Sequence, residues 1–597
     1  MVFAATRNGV YRSTNAGANW TQVQSGGFRD IKFKPNDPTV VYAAGTTFYK
    51  STNSGANFTK ITSGVPSSPY RMVIGVTPAD PSYVYLSAAD LSSTGFIGLF
   101  RSTDGGTTFT QQTNSSNPIN STQSWYNFSI AVSLVNKDEV LCGLFSIWRS
   151  TDGGANWSDI GSDVHPDVHS LYYLDGTTIF TGCDGGVYKT TDSGNNWNNF
   201  RGGMDNAQMY GLSCAATDPS LVLTGWQDNG TNLCGAASSW QSELGGDGMK
   251  CVIDYTTTDH MYGSYQDGQF SRSDDGGNSW IDIDNGLTET GSWVSPFIMD
   301  PSNPQTLYAG LNNVWRSTDR GDNWSQISSM IGTSDNTQSL AVAPSNGNYI
   351  YAATYTSIYK TTDGGSSWTS ITGSLPVASA QISYIAVNPG DPNKVYVTFS
   401  GYNAGMKVYY STDAGNTWTD ISAGLPSFPV NCIAYQKGTS DALYVGTDVG
   451  VFYMDNSFPQ WQAYSTGLPT TSVNELSIQY ASGKIRAATF GRGLWESALY
   501  NSSNASTGIQ ENQLENQLSL YPNPSTGYVN VKLALDQATD LFVNAYDVLG
   551  NEVLAEKHSN LLTGNFTLDL SSQATGIYFI EFNTGTQRVF KKVSLTR

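Results

Sequence analysis

The chain has 597 residues, with 30 Lys and Arg against 49 Asp and Glu and a formal net charge of −19. That balance argues against nucleic acid or an anionic membrane surface as a partner, because both require a basic face. With 61 Gly, 34 Tyr, 15 Trp, only 13% charged residues and almost no helical periodicity, the composition is that of a secreted all-β protein.

From the N-terminus onward one phrase recurs, Ser/Thr-x-Asp/Asn-x-Gly-x-x-Trp/Phe, each time after a short strand. It runs Ser13 to Trp20, Ser51 to Phe58, Ser102 to Phe109, Ser150 to Trp157 and Thr190 to Trp197, then Ser273 to Trp280, Ser317 to Trp324, Thr361 to Trp368 and Ser411 to Trp418. Successive copies lie 38 to 51 residues apart, except that the step from Thr190 to Ser273 spans 83. The shorter spacing is that of a four-stranded propeller blade, and the long step holds one blade without its phrase. Two degenerate blades follow, "LYVGTDVGVFYMDNSFPQW" ending at Trp461 and "IRAATFGRGLWES" ending at Ser497. About twelve blades result. Because a closed ring usually holds about four to eight, two packed propellers are expected over residues 1–497.

Within each phrase the Ser and Asp side chains bond backbone amides of their own turn, Gly takes a positive φ, and the aromatic residue covers the turn. Asp104, Asp152, Asp192, Asp275, Asp319, Asp363 and Asp413 are therefore structural. Each loop offers one or two oxygen ligands, too few for a calcium loop, and four His with six scattered Cys lack ordinary zinc spacing; no metal or cofactor is expected. Five of the six Cys fall between Cys142 and Cys251. A Cys234 to Cys251 disulfide would staple the irregular blade, with buried free thiols as the alternative.

The strongest departure from the repeat is the stretch 201–269. There Trp226, Asp228, Trp240, Glu243, Asp247 and Asp267 gather indoles and carboxylates, the mixture a sugar site uses for stacking and for bonding hydroxyls. The alternative is that "QDNG" and "GGDG" are tight turns chosen for backbone geometry. Two further loops, "GCDGGVYKT" and "GTDVGVFY", place Asp184 and Asp448 before glycines.

After Ser497 the polar segment 498–517 reads as a linker. Alternating apolar residues over 518–597 then predict a small β-sandwich. Its markers are Tyr521-Pro522-Asn523-Pro524, the Asp547 and Gly550 turn, Gly576-Ile577-Tyr578, and a basic last strand with Lys591 and Lys592. These motifs resemble the type IX secretion sorting domain of Bacteroidetes, which implies that the export machinery is a partner and that the product is secreted or surface-attached. A client of that system carries an N-terminal export signal, whereas Met1 opens directly on a blade strand. The sequence is therefore expected to lack an upstream part holding a signal and one or two blades, which would give two seven-bladed rings. No apolar stretch is long enough to span a bilayer as a helix.

The repeated phrase resembles the Asp-box of bacterial neuraminidase repeats, a class that includes sialidases, sortilin-type receptors and twin-propeller xyloglucanases. The surroundings of Asp184 and Asp448 are similar to acidic segments of the xyloglucanases, which implies β-glucan hydrolysis in a cleft between two rings. Such an enzyme needs one carboxyl as acid and another as base, and Asp184 and Asp448 are the catalytic candidates. The same Asp-Gly strings also occur in noncatalytic propellers, and the first blade reads Thr6-Arg7-Asn8-Gly9, with no carboxylate where that family has one. Sialidase chemistry is disfavoured, because Arg12, Arg101, Arg149, Arg272 and Arg316 sit just before the boxes and no Arg-Ile-Pro motif precedes the first. The expectation is an exported propeller that binds or hydrolyses extracellular polysaccharide, xyloglucanase-like if catalytic; the alternative is a noncatalytic sortilin-like protein- or glycan-binding or adhesion propeller.

Overall fold

The computed structural model describes residues 1–90, 95–114, 119, 123–200, 202–204, 206–236, 239–329, 335–500, 514, 517–547, 551–584 and 588–596. Most of the segment 498–517, together with Arg201 and Gly550, lies outside the described residues.

Among the described residues, twelve antiparallel sheets follow one another along residues 2–498, ten of four strands and the first and last of three. Each is a meander in which sequential strands pair, so the sheets are numbered here as blades 1 to 12 in chain order. Blade 1 spans 2–25, and blades 2 to 5 span 28–61, 71–114, 129–159 and 168–199. Blades 6 to 12 span 209–244, 251–282, 297–326, 339–370, 382–420, 430–463 and 473–498.

The inner strands divide the blades into two groups. Inner strands pack in sequence from blade 6 to blade 12, and the inner strand of blade 12 then packs against that of blade 6, closing a ring of seven. The closure is held by the Gln208 and Phe490 bridge, by Asn474 Nδ2 donating to the Met209 carbonyl at 3.0 Å and by Arg486 donating to the Pro219 carbonyl at 2.6 Å. Blades 1 to 5 pack side by side as an arc. The two-propeller expectation thus takes the form of a closed seven-bladed ring joined to a five-bladed arc. The boxless step between Thr190 and Ser273 is blade 6, the sheet at which the ring begins.

The nine boxes turn the chain from the third to the outer strand, with one geometry throughout. The first Ser or Thr hydroxyl accepts the amide of the box Gly at 2.7 to 3.0 Å in every copy. The Asp or Asn Oδ1 accepts the amide four residues on. The box Gly sits at positive φ, for example +97° at Gly321 and +84° at Gly415, where a side chain would be strained. Trp197, Trp324, Trp368 and Trp418 donate their indole N–H to a carbonyl of the preceding blade, at 2.6 to 2.8 Å. Trp461 does the same at 2.7 Å from the degenerate blade 11, where the box is lost but its staple remains. Between blades, alternating apolar residues interlock, as Tyr351, Ile382, Val395 and Phe399 do between blades 9 and 10.

Cys142, Cys251 and Cys432 are buried free thiols. The Cys234 to Cys251 staple does not form, and the thiols behave as small core residues.

Residues 518–595 form a separate five-stranded unit. Its two long strands, Tyr528–Tyr546 and Glu552–Asp569, pair along their length. One end of the first also pairs with Leu518–Tyr521, and the other with Gly576–Asn583. Register shifts near Ala534 and Thr539 break the ladder between the two ends, and bulges of this kind bend strands. Val529, Val531, Leu541, Val543, Ile580 and Phe582 fill a core of its own. Asn523 clasps the last strand, donating to the Lys592 carbonyl at 2.7 Å and accepting the Ser594 amide at 2.9 Å. Tyr578 is buried and donates to the Ala574 carbonyl at 2.9 Å.

Candidate functional site

In a four-stranded meander the loop between the second and third strands lies on the same face as the crossing to the next blade, and the Asp-box turn lies on the opposite face. Asp184 of blade 5 falls between strands Ile179–Cys183 and Gly186–Thr190, and Asp228 of blade 6 between Val222–Trp226 and Gly230–Cys234. Asp267 of blade 7 and Asp448 of blade 11 occupy the same loop of their blades. The repeat therefore puts four of the candidate acids on the equivalent edge of their blades, away from the boxes. Asn8 takes that position in blade 1.

Two of these four converge where the arc meets the ring. Asp184 is gripped on both oxygens, by His169 Nε2 at 2.8 Å and by the Tyr126 hydroxyl at 3.0 Å. Asn229, next to Asp228, donates to the Asp184 carbonyl at 3.1 Å. His165 Nε2 donates to the Asp228 carbonyl at 2.8 Å, and the Asp228 amide donates to Asp247 Oδ1 at 2.8 Å. Asp167 accepts a short hydrogen bond from Asn127. Asp228 itself takes φ +58°, a left-handed conformation that Asp and Asn tolerate better than most residues.

The electrostatics separate the two carboxyls. Asp228 is pushed up to about 7 by burial, by the Asp184 charge and by the charges of Asp247 and Asp167. Burial acts the same way on Asp184, but hydrogen bonds from His169 and Tyr126 outweigh it and hold that carboxyl below the usual range. The Asp184 hydrogen bond raises the pKa of His169 in return. Below about pH 7 one carboxyl keeps its proton while its neighbour is ionised, the division of labour used in acid–base catalysis. Among the described residues no three His, Cys, Asp or Glu side chains group so as to hold a metal ion.

The other candidates lie elsewhere. Asp448 accepts from Asn431 Nδ2 and from the Ser472 hydroxyl, both at 3.0 Å, beside the starts of the inner strands of blades 11 and 12. Asp267 takes φ +62° and its carbonyl accepts the Gly291 amide at 2.8 Å, as a tight turn requires. Glu243 packs by the box of the next blade, and burial raises its pKa while the Trp280 indole lowers it. Trp226 and Trp240 meet edge to face at 5.1 Å, and Trp226 packs on Met209, Val222, Ala488 and Leu494 between blades 6 and 12. Trp226 thus packs in the ring seam, with the more exposed Trp240 against it on the outer strand of blade 6. Tyr126, His165, Asp167 and His169 escaped the sequence reading. The available signal was "HPDVH", which places two of the chain's four His on either side of Asp167.

The same face carries exposed aromatics in its crossings and loops, among them Trp125, Tyr126, Trp293, Tyr355 and Tyr402. The Trp293 indole donates to the Tyr210 hydroxyl at 3.3 Å, and Tyr210 donates to Gln227, beside Asp228, at 2.7 Å.

Residues 519–596 match the sequence model of the secretion system C-terminal sorting domain, and residues 312–444 match that of the sortilin, neurotensin receptor 3 family. The chain thus carries a type IX sorting tail and is a secreted or surface-attached product. No curated protein matches the chain. Among solved structures, the GH74 xyloglucanase of Xanthomonas campestris superposes with a TM-score of 0.58 at 17% identity, covering 84% of this chain and 81% of that one. A GH74 enzyme of Niastella koreensis gives 0.54 at 16% identity, covering 83% and 79%. At such identities the likeness is one of fold.

Proposed function

We propose that the protein is an exported propeller hydrolase of extracellular polysaccharide, acting at the junction of blades 5 and 6, with Asp228 as proton donor and Asp184 as base. The observation that carries this reading is a single cluster in which His169 and Tyr126 hold Asp184 at 2.8 and 3.0 Å and Asn229, next to Asp228, bonds the Asp184 carbonyl, with the Asp228 carboxyl shifted up to about 7 and that of Asp184 shifted down. Cleaving a glycosidic bond requires a proton for the departing oxygen and a carboxylate to activate water. Tyr126 and His169 fix the carboxylate, and the exposed aromatics of the same face offer stacking surfaces for sugar rings. The fold shared with GH74 xyloglucanases makes branched β-glucan the first substrate to try.

The test is reducing-end release from a panel of neutral β-glucans, xyloglucan included. Asp228→Asn and Asp184→Asn should each abolish release while the chain still binds the polymer. Activity should fall as pH rises through about 7, where Asp228 loses its proton. The second reading, a noncatalytic binding propeller, is favoured by the sortilin-type match across blades 8 to 11. Polymer or protein retained without any turnover across the panel would select it.

A further inference from the structure

The closed ring is not filled to its axis. A cavity of about 540 Å³ opens at one end of its channel, within the range of roughly 300 to 1,000 Å³ typical of ligand sites. Its lining comes largely from the first residues of the inner strands, such as Tyr210, Ile298, Ser339, Ser383, Asn431 and Asn474. Those strands start on the face that bears Asp184, Asp228 and Asp448, so the cavity opens there. Asp448 borders it through its bond to Asn431, and Tyr210 links it to Gln227 beside Asp228.

The chemistry of the cavity is neutral. Its two charged lining residues, Lys250 and Glu475, pair with each other through a short contact. The Tyr384 hydroxyl donates to the same carboxylate at 2.6 Å, and Lys250 stands 5.3 Å from the Tyr384 ring centre. These residues come from blades 7, 12 and 10, no two adjacent, so the trio crosses the channel and neutralises itself. What remains is an apolar wall of Val252, Phe297, Leu340 and Ile382, with amides and hydroxyls set in it. At the mouth, Tyr355 is 40% exposed and Trp293 47% exposed.

We infer that this channel mouth is a second glycan site, separate from the acidic cluster, that takes a neutral short saccharide such as a side branch or chain end. The ligand class rests on the polysaccharide reading above, while the site rests on the cavity. Amides and hydroxyls bond sugar hydroxyls, apolar wall and aromatic faces accept the C–H faces of pyranose rings, and a self-paired ion pair leaves no free charge for an anion. Asp448, bonded to Asn431 of the lining, also disfavours acidic sugars at the mouth.

The experiment uses the full chain with cellobiose, xylose and galactose as probes and trialanine as comparator, read by saturation-transfer NMR and tryptophan fluorescence. Variants are Tyr355→Ala, which removes a stacking face, and Ser400→Trp, which fills the lining; unchanged melting curves confirm folding. At least one saccharide should bind wild type, and about tenfold more weakly in either channel variant. Saccharide binding untouched by both variants, no binding by wild type, or binding of the peptide in its place overturns the inference. Reducing-end release, scored in parallel, separates the two proposals. Release with no channel binding leaves the hydrolase standing, and channel binding without release leaves only the glycan site.

Discussion

Replacing Asp228 by Asn should stabilise the protein, and only at high pH. The folded pKa of Asp228, about 7, lies some three pH units above its ordinary 3.8. A carboxyl whose folded pKa is raised binds its proton more tightly in the native state, so native stability declines as pH climbs from 3.8 to about 7 and the penalty is complete above that. Three units at 1.36 kcal/mol each give about 4 kcal/mol. Asp228 is only half buried, so screening by water halves that to about 2 kcal/mol. Asn keeps the backbone bonds to His165 and Asp247, tolerates the positive φ and carries no charge, so it removes the penalty. The assay is chemical or thermal unfolding of wild type and Asp228→Asn at pH 4 and pH 8.5. A gain of about 2 kcal/mol, several degrees in Tm, is expected at pH 8.5, with convergence at pH 4. A constant difference at both pH values, or none at pH 8.5, would refute the assignment of a raised carboxyl and with it the proposed acid.

Glu475→Gln should cost about 3 kcal/mol in thermal unfolding, because Lys250 is left partly buried and unpaired, whereas Lys250→Met combined with Glu475→Gln should recover part of the loss. Trp461→Ala, at a site 2% exposed, should cost about 4 kcal/mol, and Trp461→Phe, which loses mainly the bond to the Ile421 carbonyl, about 1 kcal/mol. Hydrogen bonds from Ser367 hold the box carboxylate Asp363 at about 2. Its stabilising effect is present above the ordinary 3.8 and is lost as pH falls through 2, so the deficit of Asp363→Ala relative to wild type should be larger at pH 7 than below pH 2 in denaturant melts. Deleting residues 518–597, which hold their own core, should leave the propeller melting transition in place while the product stays inside cells, as read by fractionation.

Blade number and type were legible in the sequence because each box is a local device. Ser, Asp and Gly close one turn by bonds spanning four residues, so the phrase survives whatever surrounds it. The sorting tail was legible from its ordered motifs; Tyr578 is held locally through Ala574, whereas Asn523 finds its partners Lys592 and Ser594 only on folding. The seven-plus-five division was not, since it depends on blade 12 meeting blade 6 through residues more than 260 positions apart.

The site divides along the same line. Sequence alone marked Asp228 within the departing stretch 201–269, and Asp184 and Asp448 before glycines in loops resembling xyloglucanase segments. Only the tertiary structure decided that Asp184 and Asp228 share a cluster while Asp448 borders the channel, that the Trp226 indole packs in a blade seam, and that His169 and Tyr126 complete the acidic site. The physical reason is that a carboxyl's protonation depends on burial and on charges brought near by folding. Asp184 and Asp228 sit in equivalent loops yet titrate in opposite directions, because one is held by two donors and the other faces three carboxylates.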